Sequence, residues 1–287
     1  MNRVLIIALL VGCTEYTLDN KNDNEGVDTA DPVVETTTTP PTTPTTPTTT
    51  PTYTDPPIET GDTAVTTTTT TTPIAEALVY ANTRDTLYEV VPDTGATLRI
   101  GQFMDDAGTV IDNMIDIAID PSGRMFGGTY EVLYKIDPTT AGVTKVCDID
   151  VAMFALAFDD VGNLYAGGDN LIERIDIDAC TRAVLVDHPE YITSGDLVGL
   201  PDGFLYWTIR GEVADELVKV SPRSGSTEWV GVVGVDRLFG LGYSDGSLYG
   251  FSDDREIVRI DPISAATFVL VPSSEQWWGA TTNPVAW

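Results

Sequence analysis

The chain is poor in the residues that most enzyme chemistry needs. One histidine, His188, stands among 287 residues, and Pro189 follows it. Cysteine occurs three times, at Cys13, Cys147 and Cys180. No H-E-x-x-H pair and no Cys/His pairing is present, which excludes the commonest zinc and cysteine hydrolase motifs. Basic residues are scarce too, 15 Lys and Arg against 44 Asp and Glu, for a formal charge of −29. Such a field repels nucleic acid and anionic lipid headgroups, so neither is expected as a partner of the folded part. Long apolar runs are missing: Val4–Val11 falls far short of the ~20 residues that cross a bilayer. After residue 74 no stretch shows a convincing helical period.

What is there begins at the N-terminus. Arg3 precedes the apolar run Val4–Val11, the shape of a signal-peptide hydrophobic region. Leu10-Val11-Gly12-Cys13 then resembles the lipobox of bacterial lipoproteins. That resemblance implies cleavage before Cys13, a diacylglycerol thioether on its sulfur, and palmitate-type acylation that anchors stably. Residues 1–12 are then the signal peptide, and the expected location is the cell envelope. In Gram-negative members of that group an Asp after the cysteine retains the protein in the inner membrane. Thr14 stands there, which leans towards the outer membrane.

Residues 14–35 are polar and acidic, and two Thr/Pro tracts follow, Thr36–Thr52 and Thr66–Pro73. Nothing in them can form a core. Proline favours extended geometry, so 13–73 is expected to be a lipid-anchored, disordered and semi-stiff linker. As a plain random coil it would reach about 45 Å. Its Thr/Pro composition also makes it a candidate for O-glycosylation.

From Ile74 the chain repeats. An aromatic recurs at Tyr80, Phe126, Tyr165, Tyr206 and Tyr249, about every 40–45 residues. Each is followed by a loop and then an apolar strand such as "VLYKIDP" or "EIVRIDP", and each strand returns through a Thr- or Val-rich stretch. Upstream sits another strand with a tight turn, as in "IDIAIDPSG" and "LGYSDG". Four short strands per unit, repeated radially, make a β-propeller blade. The first unit lacks its opening strand, and "WWGATTNPVAW" at the end supplies one. The expectation is an all-β, five-bladed propeller over 74–287, closed by the C-terminal strand. With no WD dipeptide, the blades resemble bacterial YVTN- and NHL-like repeats, whose motifs are structural and carry no activity.

In a propeller the first strand of each blade lines the channel. The alignment places Asp116, Ala155, Asp196, Phe239 and Gly279 at one level, with Met114, Met153, Ser194, Arg237 and Trp277 nearer the mouth. Asp116, Asp196, Arg237, Trp277 and Trp278 are the candidate ligand-binding residues. The competing reading is that the aromatics plug the channel and Arg237 pairs with Asp196 or Asp236. Asp116 and Asp196, with loop acids such as Asp215 and Asp253, are also hard oxygen ligands of the kind Ca²⁺ takes. No cofactor is otherwise expected. Cys147 on a fourth strand and Cys180 in a turn of the next unit form an even pair in an exported protein, a possible disulfide.

The sequence therefore points to a lipid-anchored binding module for a protein, glycan or small molecule, and away from catalysis. Two alternatives stand: a divalent-metal hydrolase or lyase at the channel mouth, and a structural envelope protein without a discrete ligand.

Overall fold

The computed structural model describes residues 79–149 and 153–286. The signal peptide, Cys13, the Thr/Pro linker and the expected boundary at residue 74 lie outside the described residues.

Five four-stranded antiparallel sheets account for the described chain. Blade 1 holds β1 (Val79–Asn82), β2 (Thr86–Val91) and β3 (Ala96–Gln102). Blade 2 is β4 (Asp116–Ile119), β5 (Met125–Gly128), β6 (Val132–Ile136) and β7 (Val143–Asp148). Blade 3 is β8 (Ala155–Phe158), β9 (Leu164–Gly168), β10 (Leu171–Asp176) and β11 (Thr181–Asp187). Blade 4 is β12 (Thr193–Gly199), β13 (Leu205–Ile209), β14 (Glu216–Val220) and β15 (Thr227–Val232). Blade 5 is β16 (Leu238–Ser244), β17 (Ser247–Ser252), β18 (Glu256–Ile260) and β19 (Thr267–Pro272). The last strand, β20 (Gly279–Thr281), pairs with β1 through Tyr80↔Thr281, Ala81↔Ala280 and Asn82↔Gly279. It is the opening strand that blade 1 lacks, as the sequence implied.

Burial falls from the axis outwards. The inner strands β4, β8 and β12 are buried at every position, whereas β3 and β11 are mostly exposed. That gradient explains why the inner strands read as apolar runs and the outer ones as Thr- and charge-rich. The core is not one cluster but five, each shared by two neighbouring blades. One of them joins Phe251 of blade 5 to Val79 and Tyr88 of blade 1, with Trp277 between them. Five junctions for five blades can exist only in a closed ring, which leaves no blade face without a neighbour.

The turns follow from short polar side chains. After β4, Asp120 accepts hydrogen bonds from the Ser122 and Arg124 amides, both at 2.9 Å, while Gly123 takes φ +85°. Only glycine adopts that conformation without strain. In blades 1, 2, 3 and 4 the fourth strand shifts register one step after its Leu or Ile contact, which bends each sheet into the blade shape.

Candidate functional site

In an antiparallel meander the loops between second and third strands share a face with the connections between blades. On that face the channel opens into a cup of about 270 Å³. Its walls come from the positions just before, or at the start of, the inner strands. Trp278 stands on blade 1, Ile115 on blade 2, Phe154 on blade 3, Gly195 on blade 4 and Phe239 on blade 5. Tyr130, from the β5–β6 loop, stands edge-on to Phe154 with ring centres 5.9 Å apart. Phe239 packs across Gly195, where a Cβ would come 2.6 Å from its ring. The low mass of Gly195 is what opens this side of the cup.

Two arginines border these rings. Arg84 lies 5.8 Å above the Trp278 ring and is held by Asp112, through the carbonyl and a carboxylate contact at 3.4 Å. Arg210, in the β13–β14 loop, is exposed, lines the cup and makes no ion pair among the described residues. The cup thus offers flat apolar walls and one unspent cation. A ring fits the walls, and an anionic substituent fits Arg210. The opposite face carries a larger, shallower groove of about 510 Å³. Its arginines are already engaged: Arg124 with Asp120, Arg174 with Asn163, and Arg182 with Glu173.

Asp116 and Asp196 form the floor. Both are wholly buried, and their carboxyl groups neighbour each other. Asp116 accepts from the Ile117 amide at 2.8 Å, from Leu156 at 2.6 Å, and from Ala280. Asp196 accepts from Leu197 and Leu241. The acceptors and donors sit on β4, β8, β12, β16 and β20, so two carboxyls stitch all five inner strands. Burial raises both groups well above the ordinary carboxylate range, and Asp116's charge raises Asp196 further.

Several sequence expectations change here. Asp116 and Asp196 are a plug beneath the cup rather than ligand-facing groups. Arg237 does not partner Asp196 and stays out of the channel. It is exposed, at φ +55°, with ion pairs to Asp253 at 3.3 Å and to Asp254. Trp277 is fully buried between blades 5 and 1, edge-on to Tyr88 and Phe251 with both centroids at 5.6 Å. Trp278 is the member of the pair that reaches the cup. Met114 and Met153 are likewise buried in blade junctions. A bulge in β16 moves the inner level from Phe239 to Gly240, which pairs with Phe251.

The two carboxyls do not assemble a calcium cage. Their oxygens are turned to backbone amides and to each other, and no group of three or more His, Cys, Asp or Glu is poised for a metal among the described residues. Asp215, another candidate oxygen ligand, is buried and accepts from the Ser194 hydroxyl at 2.6 Å and the Leu238 amide at 2.7 Å. Burial pushes its pKa up to about 6, and neighbouring Asp236 adds to the rise. His188 stacks on Tyr191, with centroids 3.8 Å apart, and serves the packing of an inter-blade connection. Gly242-Tyr243-Ser244-Asp245-Gly246 spells G-x-S-x-G. Here it is a hairpin: Ser244 pairs with Ser247 around Asp245 (φ +48°) and Gly246 (φ +76°). The strand-to-helix elbow that exposes a nucleophile is absent at that point.

The molecule is a five-bladed β-propeller with an aromatic cup at one channel mouth and a carboxyl plug below it. No protein-family description matches the chain, and no curated protein does. Among solved structures it is similar to a chain of the crystal structure of the nidogen/laminin complex. The identity is 12%, the match covers 71% of this chain and 97% of that one, and the TM-score is 0.51. A match to the structure of U3-55K has 12% identity, 69% and 61% coverage, and a TM-score of 0.42.

Proposed function

We propose that this protein is a lipoprotein that holds a propeller away from a bacterial membrane as a binding module, with the aromatic cup as its binding site. The observation that carries the reading is the cup itself. Four aromatic side chains from different blades converge on one opening, although blade stability requires none of them to be there. Exposed or half-exposed rings at a concave mouth are the usual mark of recognition. Arg210 sets the preferred partner: a ring-bearing group with an acidic substituent, on a small molecule or a protein side chain. The similar fold in the nidogen/laminin complex belongs to an assembly of proteins, which is in keeping with a protein partner. Anchoring rests on Leu10-Val11-Gly12-Cys13, and reach on the Thr/Pro linker up to residue 73. In a Gram-negative host, Thr14 after the cysteine favours the outer membrane.

Two experiments test this. Cys13→Ser should move the protein from the membrane to the soluble fraction, and retention there would defeat the anchor. Titrating the full chain with phenylacetate should change tryptophan emission saturably, and Trp278→Phe should remove that change. Phenethylamine and hexanoate should do far less. Arg210→Ala should weaken phenylacetate about ten- to a hundredfold, since a charge-assisted hydrogen bond is lost. A protein that binds none of the three would be a structural envelope component.

A further inference from the structure

Three blade junctions, 1–2, 4–5 and 5–1, share one small contact, while between blades 3 and 4 the turn glycine Gly225 lies against Leu185. On the outer strand, the residue paired with the buried Leu or Ile of the third strand faces the next blade. These residues are Gly101, Cys147, Val186, Gly231 and Val271, opposite Leu87, Leu133, Ile172, Leu217 and Ile257. The next blade answers with the last residue of its third-to-fourth-strand turn, always in the left-handed region. These are Ala141 (φ +62°), Cys180 (+54°), Gly225 (+70°), Ala265 (+58°) and Gly95 (+69°).

The sizes complement one another. A Cβ added at Gly101 would stand 3.4 Å from the Ala141 Cβ, and one at Gly231 would stand 3.1 Å from that of Ala265. A Cβ at Gly95 would come 2.8 Å from Val271 Cγ1, so that side must stay glycine. Between blades 2 and 3 both places are cysteine. The shared register puts their Cβ atoms near the ~3.5–4.5 Å separation that a disulfide requires. Packing agrees: Ile177, three residues before Cys180, packs on the cluster that contains Cys147. Cys180 is exposed with Sγ 3.8 Å from the Ile177 carbonyl, and Cys147 is buried. Burial, with the Cys180 sulfur beside it, raises the Cys147 thiol to about 12. Glycine fills the Cys180 place in two blades without loss of fold, so packing alone does not call for a β-carbon in that strained position.

Both thiols are free in this structure. We propose that Cys147 and Cys180 close into a disulfide that staples blade 2 to blade 3 once the chain reaches an oxidising compartment. The oxidant is an external disulfide, RSSR. The exposed Cys180 thiolate attacks one of its sulfurs and expels RS⁻, leaving a mixed disulfide. Cys147 then loses its proton to solvent, and its sulfur attacks that of Cys180 and expels the second RS⁻. Two thiols and RSSR become one protein disulfide and two RSH. Closure is slow while Cys147 stays protonated, and it speeds up as pH rises.

The test uses full-length Cys13→Ser protein, which has only these two cysteines. After oxidised glutathione, denaturation and alkylation, the expected protein carries no alkyl group, and a peptide map shows residues 147 and 180 linked. The loop enclosed has about thirty residues, so reductant should lower the Tm by about 5–15 °C. Cys180→Gly, which relieves the left-handed strain and leaves an arrangement seen in two other blades, should fold and lose the reductant effect. Two alkylated thiols after oxidation, or a Tm indifferent to reductant in the parent, would overturn the staple.

Discussion

Asp196→Ala removes the plug from one side, and its cost can be worked from the contacts. The buried Leu197 and Leu241 amides each lose their acceptor. An unsatisfied buried donor costs about 1–3 kcal/mol. Asp116 loses the carboxyl that neighbours it in the buried floor, which adds a comparable amount. The sum is about 3–9 kcal/mol, a large share of the ~5–15 kcal/mol that holds a domain folded. Asp196→Asn is the matched control. Its amide donates to Asp116 and its oxygen still accepts one backbone bond, so the loss should be about 1–3 kcal/mol. Urea unfolding of both variants at neutral pH, followed by tryptophan emission, measures the difference. An Ala variant within about 1 kcal/mol of the parent would refute the idea that these carboxyls stitch the inner strands.

Two further outcomes follow from the same contacts. Asp215 is raised from 3.8 to about 6, so its stabilising contribution is complete below pH 4 and lost as pH rises through 6. The protein should therefore melt higher at pH 5 than at pH 7.5, and Asp215→Asn should remove about 1–1.5 kcal/mol of that difference, as scanning calorimetry would show. Asp85 and Asp120 are lowered by hydrogen bonds and work the other way, with their stabilisation disappearing as pH falls below 4. Deleting residues 276–287 removes β20 and Trp277, whose ring alone is worth about 3–5 kcal/mol, and should cause aggregation or a large fall in Tm. A truncated chain melting cooperatively within a few degrees of the parent would contradict ring closure.

The blades were legible because each repeats the same aromatic, turn and "Ile-Asp-Pro" signals, and the unmatched ends announced the closing strand. Cys147 and Cys180 fell on the fourth strand and the following turn, as the alignment had them. The channel mouth was only half legible. Trp278 lines the cup, but period-two alternation was carried upstream of Asp116, Ala155 and Gly279, where the strands have already ended. That put Met114, Met153 and Trp277 at the mouth, although the chain turns there and buries them between blades. The bulge between Leu238 and Gly240 hid Phe239 in the same way, since an inserted residue reverses which side chain faces the axis. Tyr130 and Arg210 come from loops, which carry no period. Arg237 was misassigned because nearness in an alignment says nothing about left-handed backbone.

A crystal structure of the protein grown with phenylacetate tests the binding reading most directly. The account predicts ring density between Phe239, Trp278 and Tyr130, with the carboxylate on Arg210 and Asp116–Asp196 unchanged beneath. Density on the opposite face, or an empty cup at a concentration that saturates the fluorescence change, would contradict it.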